Sequence, residues 1–259
     1  MIRVRVVRAR GSTPREEGAE MFVGPDTVSG TIGGGHLEYM AIDRARQMLA
    51  RGEATAQMDV PLGPAIGQCC GGRVRLGLDR AAPTPPQPGP PVLIFGAGHV
   101  GRALAGALHP LPLSPRLIDQ RADELALAAP GIPVTLTALP EAEVRSAPPG
   151  AAYVILTHDH ALDFLLAVEV LRRRDAAYVG MIGSRTKRAT FQRHAALEGV
   201  DTRPLVCPVG AGFPRDKRPE VIAAFACAEI LSALLTHGAG PGPGLAAPAE
   251  VPATICLSD

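Results

Sequence analysis

The chain opens with apolar residues alternating with arginine. Ile2, Val4 and Val6 are separated by Arg3 and Arg5, the period of a half-buried strand. Ala19 to Val23 suits a second strand. Leu37, Met40, Ala41, Ala45, Met48 and Leu49 then recur on one helical face that ends near Arg51-Gly52. Val60 and Val74 to Leu78 supply later strand candidates. From Val92 the rhythm changes. Short apolar runs at Val92–Phe95, Arg116–Ile118, Val134–Leu136, Tyr153–Leu156 and Tyr178–Ile182 predict strands. Helical periods over Val100–Leu108, Asp123–Ala128, Leu162–Arg173 and Lys187–Leu197 fall between or after them. Such alternation predicts a parallel, doubly wound sheet. Pro219 sits where a further helix would start, and Val221 to Leu235 is apolar enough to be buried.

The two rhythms meet at Ala-Ala-Pro-Thr-Pro-Pro-Gln-Pro-Gly-Pro-Pro, where proline density rules out helix and sheet ladders. The fold class is therefore α/β: an N-terminal mixed α/β domain over 1–80, a Pro-rich linker over 81–91, and a C-terminal Rossmann-like doubly wound parallel sheet over 92–237. A Gly/Pro/Ala-rich tail, expected to be poorly ordered, fills 238–259.

Composition narrows the function classes. The 259 residues are 46% hydrophobic with a net charge of +1, so no electrostatic case exists for nucleic acid or an anionic membrane. There is no tryptophan, and 3% aromatic content makes a base-stacking platform improbable. No apolar run approaches the roughly 18 residues of a membrane span. The N-terminus lacks an apolar signal core, so a cytoplasmic protein is expected. Five cysteines in a reducing compartment favour thiol chemistry or burial over disulfides. Cys207, Cys227 and Cys256 read as structural.

The most specific chemistry lies at Phe95-Gly96-Ala97-Gly98-His99-Val100-Gly101. This G-x-G-x-x-G turn follows a strand and opens a helix, where backbone N–H groups and the helix dipole favour a phosphate. Asp119 lies 18 residues beyond Gly101, close to the spacing of a ribose-binding carboxylate. Two further loops should converge there: Thr157-His158-Asp159-His160 and Gly183-Ser184-Arg185. They offer imidazoles, N–H donors and a cation, though Thr157 or Asp159 could serve only as helix caps. A His-Asp-His metal site lacks further ligands at typical spacing.

In the first domain, Gly33-Gly34-Gly35 before a helix makes a second backbone nest for an oxyanion, with Glu38 in the first helical turn. A tight strand-to-helix turn is the competing explanation. Cys69-Cys70-Gly71-Gly72 is the best thiol candidate, and burial as small hydrophobes is its alternative. Ser12 and Ser184 lack an evident base and a nucleophile elbow, which argues against a hydrolase. Arg15 has a guanidinium fork suited to phosphate.

These segments together resemble the XdhC/CoxI family, molybdenum-cofactor chaperones for xanthine dehydrogenase and related hydroxylases. The resemblance rests on Gly11-Ser12-Thr13-Pro14-Arg15, Gly30–Glu38, Cys69-Cys70-Gly71-Gly72, Phe95–Gly101, Thr157–His160 with Asp163, and Tyr178–Arg185, in family order. It implies a carrier that binds the molybdenum cofactor (molybdopterin), holds it during sulfuration and inserts it into an apo-hydroxylase. The implied partners are apo xanthine dehydrogenase or a relative, a cysteine desulfurase-like sulfur donor, and a second copy in a homodimer. The glycine nests would take anionic ends of the cofactor, and Cys69 or Cys70 would lie near molybdenum, with Cys70 as the metal contact. Near the C-terminus the family's Gly-Lys-x-Pro pattern becomes Asp216-Lys217-Arg218-Pro219. A nicotinamide-dependent oxidoreductase or sensor binding NAD(P) is the rival on the same fold, with His158 or His160 as its acid or base.

Overall fold

A computed structural model describes residues 1–63, 71–83, 88–210 and 216–238. The chain divides into two compact units, Met1–Pro86 and Gln87–Asp259. Cys69, Cys70, Cys256 and the tail beyond 238 lie outside the described residues.

The first unit contains β1 (Ile2–Arg10), β2 (Glu20–Val23), β3 (Val28–Gly30), α1 (Gly35–Arg51), β4 (Thr55–Pro61) and β5 (Arg73–Arg80). Its antiparallel sheet has the order β3-β2-β1-β5-β4. One face is apolar because alternate residues bury there: Ile2, Val4 and Val6 from β1, and Val74, Leu76 and Leu78 from β5. Helix α1 covers this face with Leu37, Ala41, Ala45 and Met48. It ends at Gly52, whose left-handed backbone (φ 72°) lets its N–H reach the Met48 carbonyl. Strand β1 runs beyond the Ile2–Val6 alternation because Val7 forms a bulge: Val6 pairs with Leu76, and Arg8 pairs with Arg75.

The second unit contains β6 (Pro91–Phe95), α2 (His99–Leu108), β7 (Ser114–Asp119), α3 (Ala122–Ala126), β8 (Val134–Leu136), α4 (Pro140–Ser146) and β9 (Ala152–Ile155). Then follow α5 (His160–Arg173), β10 (Tyr178–Met181), α6 (Arg185–Leu197), β11 (Leu205–Val206) and α7 (Pro219–Gly238). All strand pairs are parallel, in the order β11-β10-β9-β6-β7-β8. Counted from β6, this is the 3-2-1-4-5-6 order of a Rossmann sheet, which reverses between β6 and β9. Strand residues feed two cores. Val92, Ile94 and Val154 face α2 and α7, while Leu93, Phe95, Tyr153 and Ile155 face α5 and α6. Burial on both faces explains why these strands are apolar runs without alternation.

Three elements are absent from the sequence reading: β3, α4 and β11. Each is short and shows little period; β3 is exposed throughout, and α4 buries only Pro140 and Val144. Helix α7 is long and apolar enough, by length and composition, to cross a membrane, with a mean hydropathy of 1.6. Taking only unbroken apolar runs missed this, because Glu229, Ser232 and Thr236 interrupt it. Its Ala223, Ala226, Ile230 and Leu234 pack into the core beside α2.

Candidate anion site at the sheet switch point

The glycine turn joins β6 to α2 where the sheet order reverses. The Leu156 N–H donates to the Phe95 carbonyl at 2.9 Å, so the ends of β6 and β9 are tied together. The three glycines have different reasons to lack a side chain. A Cβ on Gly96, whose φ is +118°, would come within 3.0 Å of the Leu156 carbonyl oxygen. A Cβ on Gly101 would strike the Gly96 carbonyl oxygen. Gly98 is different: its φ is −66°, and a Cβ there meets nothing within 4 Å. Neither backbone strain nor packing requires glycine at this position. Its bare backbone faces a cleft of about 380 Å³ lined by His99, Arg121, Glu124, Thr157 and His158 among others. No side chain caps the first turn of α2, so its N-terminal N–H groups are open to solvent or an anion.

Asp119 lies at the end of β7, where the sequence spacing puts a ribose carboxylate. It is buried, and its acceptor positions are filled from within. One oxygen takes the Ala97 N–H at 2.6 Å and an Arg121 guanidinium N–H at 2.9 Å. The other takes the Arg121 backbone N–H and its Nε–H, both at 3.0 Å. A carboxylate has about four acceptor sites, and all four are used. Burial pushes the Asp119 carboxyl up, but the Arg121 and Ala97 hydrogen bonds more than offset this and hold it below its ordinary value. Asp119 thus braces the glycine turn.

The Thr157 loop is pinned in a similar way. Asp163, fully buried on α5, accepts from the Thr157 N–H at 2.9 Å and its hydroxyl at 2.7 Å, and pairs with the Lys187 ammonium. Lys187 is 9% exposed and belongs to α6, so one ion pair joins the loop after β9 to the helix after β10. Asp159 caps α5 by accepting the Ala161 N–H at 2.8 Å. His158 lines the cleft; His160 opens α5 and is exposed. Gly183, Ser184 and Arg185 line an adjoining cleft of about 1000 Å³ that shares Ile182 with the first. Ser184 caps α6 through the Lys187 N–H at 3.2 Å. Lys187, Arg121 and Arg102, whose guanidinium donates to the Ala97 carbonyl at 2.6 Å, escaped the sequence reading. A lysine three residues after a helix cap gives no sign that it is buried.

The first unit gathers its own motif residues. Gly33 is left-handed (φ 127°) and lies so close to the Pro14 ring that a Cβ would clash. Gly72 packs as tightly on the Ser12 carbonyl. Ser12 and Arg15 are exposed. Two N–H groups of the nest expected at Gly33-Gly34-Gly35 are engaged within the chain: Gly34 donates to Glu38, and Gly33 to the Thr31 hydroxyl at 3.2 Å. Glu38 Oε1 accepts from the Thr31 hydroxyl at 2.5 Å, the Gly34 N–H at 2.9 Å and the Ile32 N–H at 3.0 Å. Burial raises the Glu38 carboxyl, and these donors bring it below its ordinary value. Glu38 thus serves the Ile32–Gly34 turn as an internal acceptor. Among the described residues, no group of three His, Cys, Asp or Glu side chains is arranged to hold a metal.

The second unit is thus a Rossmann-type domain whose glycine turn borders an open cleft and whose strand-end carboxylate, Asp119, is occupied by Ala97 and Arg121. Residues 92–230 match the XdhC Rossmann domain, and residues 1–60 match the XdhC and CoxI family. The chain belongs to the XdhC and CoxI family. It is 29% identical over 241 residues to the uncharacterized protein YqeB of Escherichia coli K12. That alignment takes in 88% of this chain but 42% of the relative, so the chain spans less than half the relative's length. A Bacillus halodurans structure described as a xanthine dehydrogenase superposes with a TM-score of 0.78 at 16% identity. The superposition covers 93% of this chain and 94% of that one, and establishes a shared fold.

Proposed function

We propose that this protein binds the molybdenum cofactor, shields it while its terminal sulfido ligand is installed, and inserts it into apo xanthine dehydrogenase or a related molybdenum hydroxylase. The cofactor is cargo, and the protein does not turn it over. Gly98 carries the structural side of the reading. It is the glycine of the turn that neither strain nor packing explains, and a phosphate-bearing ligand explains it.

In this reading the phosphate of molybdopterin sits against the first turn of α2, held by backbone N–H groups. His99 and His158 flank it and offer imidazole donors. Asp163 and Lys187 hold the Thr157 loop in position. Cys70 is proposed as a soft thiolate ligand for molybdenum. A cysteine desulfurase-like donor would supply the sulfur, and the working form is a cytoplasmic homodimer. Within the nicotinamide alternative, an NAD site uses a free carboxylate at the end of β7 to accept the ribose hydroxyls. The four hydrogen bonds on Asp119 count against it.

Co-expression with an active molybdenum-cofactor pathway, followed by metal and pterin assay of the purified protein, tests the proposal. Stoichiometric molybdopterin, lost in a folded Gly98→Glu variant, is the expected result. Absence of pterin combined with tight NAD binding and hydride transfer would overturn it. A Cys70→Ala variant should bind the cofactor but fail to deliver it sulfurated.

A further inference from the structure

The first unit carries a charge cluster for which neither its core nor the cofactor reading has a use. Arg8 and Arg10 on β1 stand directly opposite Arg75 and Arg73 on β5. Asp59 on β4 stands opposite Arg75 on its other side. The five exposed side chains line a depression of about 130 Å³. Like charges directly opposite one another on a sheet face are destabilising, and here two such pairs are adjacent. Asp59 meets Arg73 at 3.4 Å and Arg75 at 3.3 Å. Arg8 and Arg10 have no ion-pair partner among the described residues. Four guanidiniums against one carboxylate leave three positive charges uncompensated, in a chain whose net charge is only +1.

The backbone is bent to bring this about. Up to Val6 the even-numbered residues of β1 face the core. Continued at a period of two, the strand would drive Arg8 and Arg10 into that core. The Val7 bulge shifts the phase by one residue and turns both arginines outward, opposite the β5 arginines. Gly77 makes room, since a Cβ there would come 3.2 Å from Val7 Cγ1.

We infer that this depression binds a polyvalent oxyanion of the phosphate class, either free or as the phosphate end of a small molecule. Guanidinium forks match such an oxyanion in charge and geometry, and its binding would remove the repulsion that the register builds in. The site is independent of the cofactor reading and stands if that reading fails.

The test uses the full chain at constant ionic strength, with chloride, inorganic phosphate and glycerol phosphate as probes. Calorimetric titration and thermal melting are measured for the wild type, an Arg8→Gln/Arg10→Gln variant and Asp59→Asn. Phosphate or its ester is expected to bind the wild type and raise its melting midpoint beyond chloride. The double variant should bind at least about tenfold more weakly, and Asp59→Asn several-fold more tightly, because it removes the one charge opposing the anion. Tighter binding of the ester identifies a small-molecule source, and equal or tighter binding of inorganic phosphate a free one. A wild type that responds to phosphate no more than to chloride would overturn the inference. So would an Asp59→Asn variant with unchanged affinity, and this arm decides the matter if the double variant fails to fold.

Discussion

Gly98→Ala should separate ligand binding from folding at the switch point. Gly98 is the N-cap of α2 with φ −66°, and an alanine Cβ there would enter open space. Restricting the unfolded chain stabilises by about 0.4–1 kcal/mol. Alanine is a poorer N-cap than glycine, which costs up to about 1 kcal/mol. The two nearly cancel, so the stability of Gly98→Ala should stay within about 0.5 kcal/mol of wild type. At Gly96 the balance is different. A φ of +118° costs alanine about 1–3 kcal/mol. Its Cβ also collides with the Leu156 carbonyl oxygen, so backbone as well as side chain must move. Differential scanning calorimetry of both variants, with pterin content after co-expression, reads the two effects separately. Gly98→Ala is expected to melt like wild type and hold at least about tenfold less cofactor at limiting supply, a loss of about 1.4 kcal/mol. A normally folded Gly98→Ala protein with full cofactor content would refute the reasoning, since the glycine would then serve neither packing nor ligand.

Other expectations follow from the buried charges. Lys187→Met strands the fully buried Asp163 carboxylate and should cost the second unit about 3–5 kcal/mol in chemical denaturation. Asp163→Asn combined with Lys187→Met should recover much of that loss, whereas a single variant within about 1 kcal/mol of wild type would show that the pair is not a lock. The folded Asp119 carboxyl is depressed, so its contribution is fully present above the unfolded value of about 3.9 and is lost as pH falls through the lower folded value. Asp119→Asn should therefore flatten the acid limb of a stability-versus-pH curve, and an unchanged slope below pH 4 would count against the assignment (about one unit of pH around that value decides it). Glu38→Ala leaves the Ile32 and Gly34 N–H groups without their acceptor and should destabilise the first unit by about 1–3 kcal/mol, read by calorimetry.

How far the sequence discloses this protein depends on the range of each interaction. The β6–α2 turn is legible because its determinants are contiguous: four apolar residues, then glycines at fixed offsets. The central strands β6, β9 and β10 are legible because both faces are buried and the runs are largely apolar. Spacing also put Asp119 at the correct strand end, yet could not reveal that Ala97 and Arg121 occupy it, since that depends on how two loops approach in space. Glu38 shows the same limit. Its place in the first turn of α1 is plain from the sequence, but its use as the anion of its own glycine nest is a matter of geometry. The Val7 bulge is harder still, because a phase shift in an alternating pattern looks like the end of the strand.

The committed state of Asp119 also changes what the cleft can recognise. In a dinucleotide site the carboxylate at the end of the second strand selects a ribose by accepting its hydroxyls. Here that carboxylate neutralises Arg121 and holds the Ala97 N–H, so the glycine turn is braced before any ligand arrives. Arg121 lines the same cleft, but its charge is largely spent on Asp119. The attraction left for an anion is then that of the α2 N-terminus and the bare backbone at Gly98, which would favour a phosphate over a ribose hydroxyl. Under the proposed function, a site whose strand-end carboxylate is occupied would favour a ligand with a terminal phosphate and no ribose to anchor, which is the chemistry of molybdopterin.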